Sequence, residues 1–440
     1  MIAKQHLALC IFGLFISQCA LSVAPNTIIG TVTDSNSTFN HPINISITSN
    51  GKTAYVLNSG NDTISIVDIA TNKVTGIVTD SGTTLNHPVA IAITPDDKKA
   101  YIINQAHSTV SILDIATNTI TGIVASGNFS TPADIAITLD GTTAYVTNPA
   151  NNTVSIIDVA TNTATGIVSD LGATLDMPKS IAISLDGTQA FVTNAHTVSI
   201  ITIATNTINV DGTVSNIFGS DTPYDIVFIP NSVKSYLSSF NQNEIFVIFG
   251  DTAITGFSVL GVQNLIISPD GTTVYAMQNT NNISVINTAN DTVTGVVSDP
   301  LATLNVPYNL AITPDGFTGY IVNLEGNSVS IMFIKDPPLT IFPPISIAGC
   351  KTKNIFLAQT DLINFITWNA PAIGLAPAKY NIFRDAALTD LIVTIPATEP
   401  LQYYDHNRDP NITYIYYIVS LDQNGNISTP SNVTVTSSCQ

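Results

Sequence analysis

The sequence predicts an all-β chain: a seven-bladed β-propeller closed by an N-terminal strand, followed by a smaller β-sandwich. Three observations predict it. An aromatic residue opening a short β-branched strand recurs at Tyr55, Tyr101, Tyr145, Phe191, Tyr236, Tyr275 and Tyr320, at spacings of 46, 44, 46, 45, 39 and 45 residues. That period fits four short strands with their turns. The seventh repeat stops after the strand 329–334 and runs into Lys335-Asp336-Pro337-Pro338, one strand short. The missing strand stands at the other end of the chain, where residues 27–34 (TIIGTVTD) match residues 73–80 (KVTGIVTD) at an offset of 46, both leading into Asn-His-Pro. An open stack of sheets leaves that strand without a partner, whereas closure provides one.

Composition bounds the rest. With 440 residues, 45% of them hydrophobic and only 10% charged, the chain is long enough for two or three domains and too apolar for disorder. Thirteen Lys plus Arg against 31 Asp plus Glu give a net charge of -18, which argues against nucleic acid or an anionic membrane surface as partner. Residues 23–335 contain 7 Lys, 23 acids and no Arg.

Residues 1–22 read as a secretory signal peptide. Lys4 precedes an apolar run from Leu7 to Ile16 that is too short to span a bilayer, and small residues follow. Ala20 stands third upstream of a cleavage point after Ser22. Lipidation at Cys19 is the alternative, but Gln18 replaces the small residue such a signal carries. Past residue 22 no segment reaches about 18 uninterrupted apolar residues, so the expectation is an exported chain in the periplasm, at the cell surface or secreted. Removal of the signal leaves Cys350 and Cys439, which suggests one disulfide.

The third repeat shows how residues 23–335 are built. Strands are expected over 134–138, 143–148, 153–159 and 164–169, separated by Asp140-Gly141, Asn148-Pro149 and Thr161-Asn162. The first hairpin turn recurs as Asn50-Gly51, Asp96-Asp97, Asp186-Gly187, Asp270-Gly271 and Asp315-Gly316. Asp-x-Ala-Thr-Asn, as in Asp68 to Asn72, reads as the hairpin between third and fourth strands, with Asp and Asn each bonding their own turn.

Tyr145-Val146-Thr147-Asn148 followed by Asn152-Thr153-Val154-Ser155-Ile156-Ile157-Asp158-Val159-Ala160-Thr161-Asn162 resembles the YVTN β-propeller repeat family, which includes surface-layer and exported proteins. The resemblance implies a propeller and says little of activity, because propellers host many. The fifth repeat departs furthest, with Tyr236-Leu237-Ser238-Ser239 in place of the marker and Phe240, Phe246, Phe249 and Phe257 accumulating.

A Pro-rich linker, residues 336–344, leads to a second domain at 345–440. Its strands, its single Trp368 and Tyr414 as candidate tyrosine corner resemble a fibronectin type III domain, an Ig-like β-sandwich. If 345–350 and 432–439 are the first and last strands, both cysteines sit at strand ends at one pole. A disulfide closing that loop contributes about 4 kcal/mol on the chain-entropy estimate. Asp405, His406, Arg408 and Asp409 read as a solvated loop.

The chemistry of a propeller is expected at the channel mouth. Pro42, Pro88, Pro132, Pro178, Pro223 and Pro307 mark the loops entering the innermost strands, and two residues on the ring reads Asn44, Ala90, Asp134, Ser180, Asp225 and Asn309, with Asn264 in the sixth repeat. Oxygen ligands at this density could hold Ca2+ or a sugar, or they form a hydrated polar ring bonded to water and backbone. Some seven-bladed propellers are lactonases, an activity that calls for cationic groups and a base. Here there is no Arg, and His41 and His87, each preceding Pro, lack a third partner for a zinc site. No HExxH, GxSxG or P-loop signature is present. Asn-x-Ser/Thr sites such as Asn61, Asn128, Asn282 and Asn411 are expected by chance in so Asn- and Thr-rich a chain. The sequence therefore reads as an exported, non-catalytic binding or scaffold protein that presents a propeller face to a protein or glycan of the cell envelope, with a lactonase-like hydrolase as the alternative.

Overall fold

The computed structural model describes residues 23–78, 84–124, 129–184, 186–214, 222–230, 232–250, 252–335, 344–356, 359–371, 377–409, 411–422, 426–436 and 438. The expected signal peptide, most of the linker, Asn128 and Cys439 lie outside the described residues. The chain divides into two compact units, 1–335 and 336–440. Both are all-β, and the one short helix among the described residues is the 3-10 turn Pro149–Asn151. No described helix is long and apolar enough to cross a membrane.

Among the described residues the first unit contains seven sheets, six antiparallel ones of four strands and one of five with a single parallel pairing. The third is typical: Ile135–Ile137, Thr143–Asn148, Thr153–Asp158 and Thr163–Ile167 pair in sequence order. The fourth strand is shorter than its β-branched run suggests. The chain crosses over, and Ser169–Asp170 pairs in parallel with Thr207–Val214 of the next sheet. Second strands such as Thr53–Asn58 are buried along almost their whole length, whereas the outer strand Lys73–Val78 alternates exposed and half-buried residues. A residue buried on both faces wants no polar alternation, and an edge strand does. Gly141, at φ +71°, makes the tight hairpin turn that a Cβ resists.

The N-terminal strand Thr27–Thr31 pairs with Ser328–Phe333, the third strand of the seventh sheet. The core is divided among clusters that lie between successive sheets. Tyr55, Leu57 and Ile64 pack on Ala100, Ile102 and Leu113, and the pattern repeats along the chain. A further cluster joins Tyr320, Val322 and Ile331 of the seventh sheet to Ala54, Val56 and Val67 of the first.

In the fifth sheet the phenylalanines divide. Phe246 enters the core between fourth and fifth sheets, Phe257 packs at the margin of the next cluster, and Phe249 is exposed.

The second unit has a three-stranded sheet, Ile345–Phe356, Gln359–Asn369 and Gln402–Asp405, and a four-stranded one, Leu391–Pro396, Lys379–Phe383, Tyr414–Leu421 and Ser431–Val435. Trp368 meets Tyr380 edge-on, with centroids 5.6 Å apart, in a core with Ile366, Ile382, Tyr416 and Ile418. The Tyr414 hydroxyl accepts the Asp409 N–H at 3.1 Å.

Two sequence readings change here. Asp405 is not solvated: it is 3% exposed, pairs with Arg384 at 3.0 Å and accepts the Tyr416 hydroxyl at 2.5 Å. The buried carboxylate has the cation and donor it requires. Cys350 lies within a long strand, opposite Phe365, and not at a strand end, because the pairing continues to Phe356. Lys351, next to it, forms a parallel bridge with Ser438.

Candidate functional site at the central cavity

The repeat motif positions the site by latching six of the seven sheets to the next, the exception being the fourth, where Phe191 has no hydroxyl. Tyr55 donates its hydroxyl to Asn118 Oδ1 at 2.6 Å, Tyr101 to Asn162 at 2.6 Å and Tyr275 to Asn26 at 2.7 Å. Tyr145 reaches Asn206, Tyr320 reaches Asn72, and Tyr236 reaches Asp291. All six acceptors are left-handed, with φ from 54° to 57°, a conformation Asn and Asp tolerate better than other residues with a Cβ. This corrects the reading of Asp-x-Ala-Thr-Asn. The Asp bonds its own turn, as Asp68 does with Thr71, but the Asn serves the preceding sheet. Asn26 supplies that acceptor from the N-terminal segment.

The last residue of the motif is a buried knot. Asn148 donates to Ser155 Oγ at 2.9 Å and accepts the Ser130 N–H at 3.2 Å, and Asn58 does the same with Ser65 and Asn40. His41 and His87 precede proline with φ of 45° and 51°, as Thr131, Met177 and Val306 do in other repeats. Their N–H groups are held by Asn327 and Asp62. The strain belongs to the loop entry, so a histidine is not required there.

These entries deliver the ring. A cavity of about 260 Å³ forms where the first strands of all seven sheets meet. Its lining includes Asn44, Ala90, Asp134, Ser180, Asp225, Asn264 and Asn309, together with Lys179, Tyr224, Tyr308, Gln105 and His87. All the ring positions read from the sequence are therefore brought together. His87 reaches the cavity and His41 is not among its lining residues. In the first, second and seventh sheets the register shifts between the proline and the ring residue, a bulge that redirects the side chain. A larger hollow of about 720 Å³ lies among the turn residues around Thr94, Asp140 and Asp158, away from the ring.

The ring's polar groups tie neighbouring sheets together. Asp134 Oδ1 accepts the Ile135 N–H at 2.8 Å, and Oδ2 accepts the Ile181 N–H of the next sheet at 3.0 Å. Asp225 accepts the Ile226 N–H at 2.9 Å and the Leu265 N–H of the next sheet at 2.8 Å. Ser180 Oγ lies between the two carboxylates, 3.1 Å from Asp134 and 2.7 Å from Asp225. Asn44 donates to Val89 O at 3.3 Å and Asn264 to Tyr308 O at 2.6 Å, each across a sheet boundary. Asn309 Oδ1 caps the Leu310 N–H at 2.7 Å. Each oxygen of the Asp134 and Asp225 carboxylates accepts at least one hydrogen bond from the fold. Among the described residues no three His, Cys, Asp or Glu side chains converge as a metal cluster.

Burial raises the Asp134 carboxyl to about 7 against its N–H bonds, with the nearby Asp225 adding to the rise. Asp225 is raised too, chiefly by burial. One hydroxyl between two carboxylates donates to only one of them, so a proton on Asp134 completes a chain from Asp134 through Ser180 to Asp225. Burial lowers Lys179 to about 8, while Asp225 works in the opposite direction. Its Nζ lies 3.0 Å from the centroid of the Tyr224 ring. The sequence reading passed over Lys179. A cation entering an innermost strand of a propeller with only seven lysines was the available signal.

A family model described as Lactonase, 7-bladed beta-propeller matches residues 18–125, under half of the chain. Among solved structures, a chain of Kuenenia stuttgartiensis hydrazine synthase superposes with a TM-score of 0.59 at 19% identity, covering 70% of this chain and 99% of that one. At that identity the likeness carries the fold and nothing further. The first unit is a β-propeller. No curated protein matches the sequence.

Proposed function

We propose that the chain is an exported, non-catalytic binding protein whose propeller presents its central cavity and surrounding polar loops to a protein or glycan of the cell envelope. In this reading the seven sheets are the blades of a YVTN-type ring closed by Thr27–Thr31. The second unit is a fibronectin type III-like sandwich acting as spacer or second contact, and Cys350 is paired with Cys439. The parallel bridge of Lys351 with Ser438 supports that pairing.

One observation carries the functional reading. The ring's carboxylates and several of its amides hold the sheets together, and the other polar groups lining the cavity are amides, hydroxyls, the His87 imidazole and a single ammonium, an inventory for recognition. The test is a pull-down with the full chain against envelope proteins and a glycan array, with and without Ca2+. Saturable binding to one class supports the reading, and absence of binding under every condition refutes it.

A second reading, a lactonase-like hydrolase, draws on the family match over residues 18–125 and on Asp134, a carboxyl brought into the range of a general base beside Lys179. Turnover of a lactone panel that disappears in Asp134→Asn would favour it.

A further inference from the structure

Lys179 is the one Lys or Arg lining the cavity, and among the described residues its ammonium makes no ion pair or hydrogen bond. Its Nζ rests on the Tyr224 ring and donates no hydrogen bond to a described acceptor. Asp225 attracts it electrostatically, but among the described residues no ion pair within 4.0 Å joins the two. The corresponding position in the other six repeats is held by Ile43, Val89, Ala133, Tyr224, Gln263 and Tyr308, none of them charged. A half-buried ammonium that keeps three N–H donors available at a cavity is suited to an anionic oxygen group.

The neutral groups nearby suit hydroxyls. Among the described residues Asn44 and Asn264 donate through their NH2 groups and have no donor on their amide oxygens, and Asn309 is the reverse. The Tyr224 and Tyr308 hydroxyls lie 3.3 Å apart, so one donates to the other and one hydrogen remains for a ligand. At about 30 Å³ per water, the cavity holds about nine waters, the size of a single six-carbon sugar.

We propose that the central cavity binds one carboxylate-bearing sugar residue, with its carboxylate on Lys179 Nζ and its hydroxyls on Asn44, Asn264 and Asn309. The inference rests on the binding-protein reading and adds the class and charge of the ligand. Binding is linked to protons. The titratable groups around Lys179 are Asp225, Asp134 through Ser180, Tyr224, Tyr308 and His87. Between pH 6 and pH 8 Asp134 gives up its proton and Lys179 begins to, so the cavity's charge becomes more negative and the carboxylate is held less tightly. If only the form protonated at Asp134 is competent, the apparent affinity falls about tenfold.

The test is calorimetric titration of the full chain with glucuronate, galacturonate, an oligogalacturonate, methyl glucuronate ester and glucose at pH 6 and pH 8. The expected result is saturable binding of an acidic sugar, free or within the oligomer, about tenfold tighter at pH 6. The ester and glucose should bind at least tenfold more weakly. Lys179→Met should abolish the preference for the acid and Lys179→Arg should retain part of it. The ester comparison decides the matter on the unaltered chain even if a variant fails to fold. Equal binding of acid and ester, or no binding of any of these sugars, overturns the proposal. Envelope binding that persists in Lys179→Met overturns it too, while leaving the binding-protein reading intact.

Discussion

Replacing Tyr55 by Phe removes one oxygen from a side chain that is otherwise 1% exposed, and Phe191 holds the same place in the fourth repeat, so the ring itself is tolerated. What is lost is the 2.6 Å hydrogen bond to Asn118, the latch between the first and second sheets. Asn118 is half-buried, so water can replace the donor, and the cost should be about 1 kcal/mol. Changes at Asn118 separate the bond from the backbone. Asn118→Gly loses the bond but accepts φ 55°, and should also cost about 1 kcal/mol. Asn118→Ala loses the bond and adds about 1–2 kcal/mol for a Cβ in the left-handed region, for a total of about 2–3 kcal/mol. Urea denaturation of the full chain, followed by far-UV circular dichroism, reads these as midpoint shifts of the propeller transition at constant slope. Burial holds the Tyr55 hydroxyl's pKa at about 12, so the ranking should be the same from pH 6 to pH 9. An unchanged Tyr55→Phe, or Ala and Gly equally destabilising at 118, would refute the assignment of the motif as an inter-sheet latch.

Four further outcomes follow from the same geometry. Ser180→Ala removes the hydroxyl between two buried carboxylates and should cost about 1–3 kcal/mol, more at pH 8 than at pH 5, in the same denaturation assay. Because burial raises Asp134 in the folded state, the folded chain keeps a proton that the unfolded chain has lost between about pH 4 and pH 7. Its contribution is fully present below that window and is lost as pH rises through about 7, and a stability-versus-pH series on Asp134→Asn should show that fall flattened. Arg384→Met leaves the buried Asp405 short of its closest cation and should destabilise the second unit by about 3 kcal/mol, read by Trp368 fluorescence. Non-reducing peptide mapping should recover Cys350 and Cys439 in one linked fragment, and two separate peptides would contradict the pairing.

Much of the fold was legible because its signals are local and repeated. β-branched alternation, Asp-Gly turns and a period near 45 residues each depend on a few neighbouring residues, and together they give an all-β chain of four-stranded sheets. The clustering of the ring residues was legible for the same reason: Asn44, Asp134, Ser180, Asp225 and Asn309 occupy one place in the repeat, and repetition carries them to one cavity. What the sequence did not disclose is reciprocal and distant. Asn118 looks like part of its own hairpin, yet its partner is a tyrosine 63 residues upstream. Asp405 looks like a loop charge because Arg384 and Tyr416, which make its burial tolerable, lie on other strands. The charge states of Asp134 and Lys179 arise from desolvation, which depends on seven strands converging and is written in no single repeat.

The proposed binding function places ligand recognition at the cavity where the seven first strands meet. Its most direct test is binding of the full chain and of Asn264→Ala to the glycan array and envelope extract. The expected result is saturable binding to one class that weakens at least tenfold in the variant, because Asn264 both lines the cavity and holds the Tyr308 carbonyl through its 2.6 Å bond. Binding of equal strength by both proteins, with the variant shown to be folded, would place recognition elsewhere on the molecule and contradict the claim.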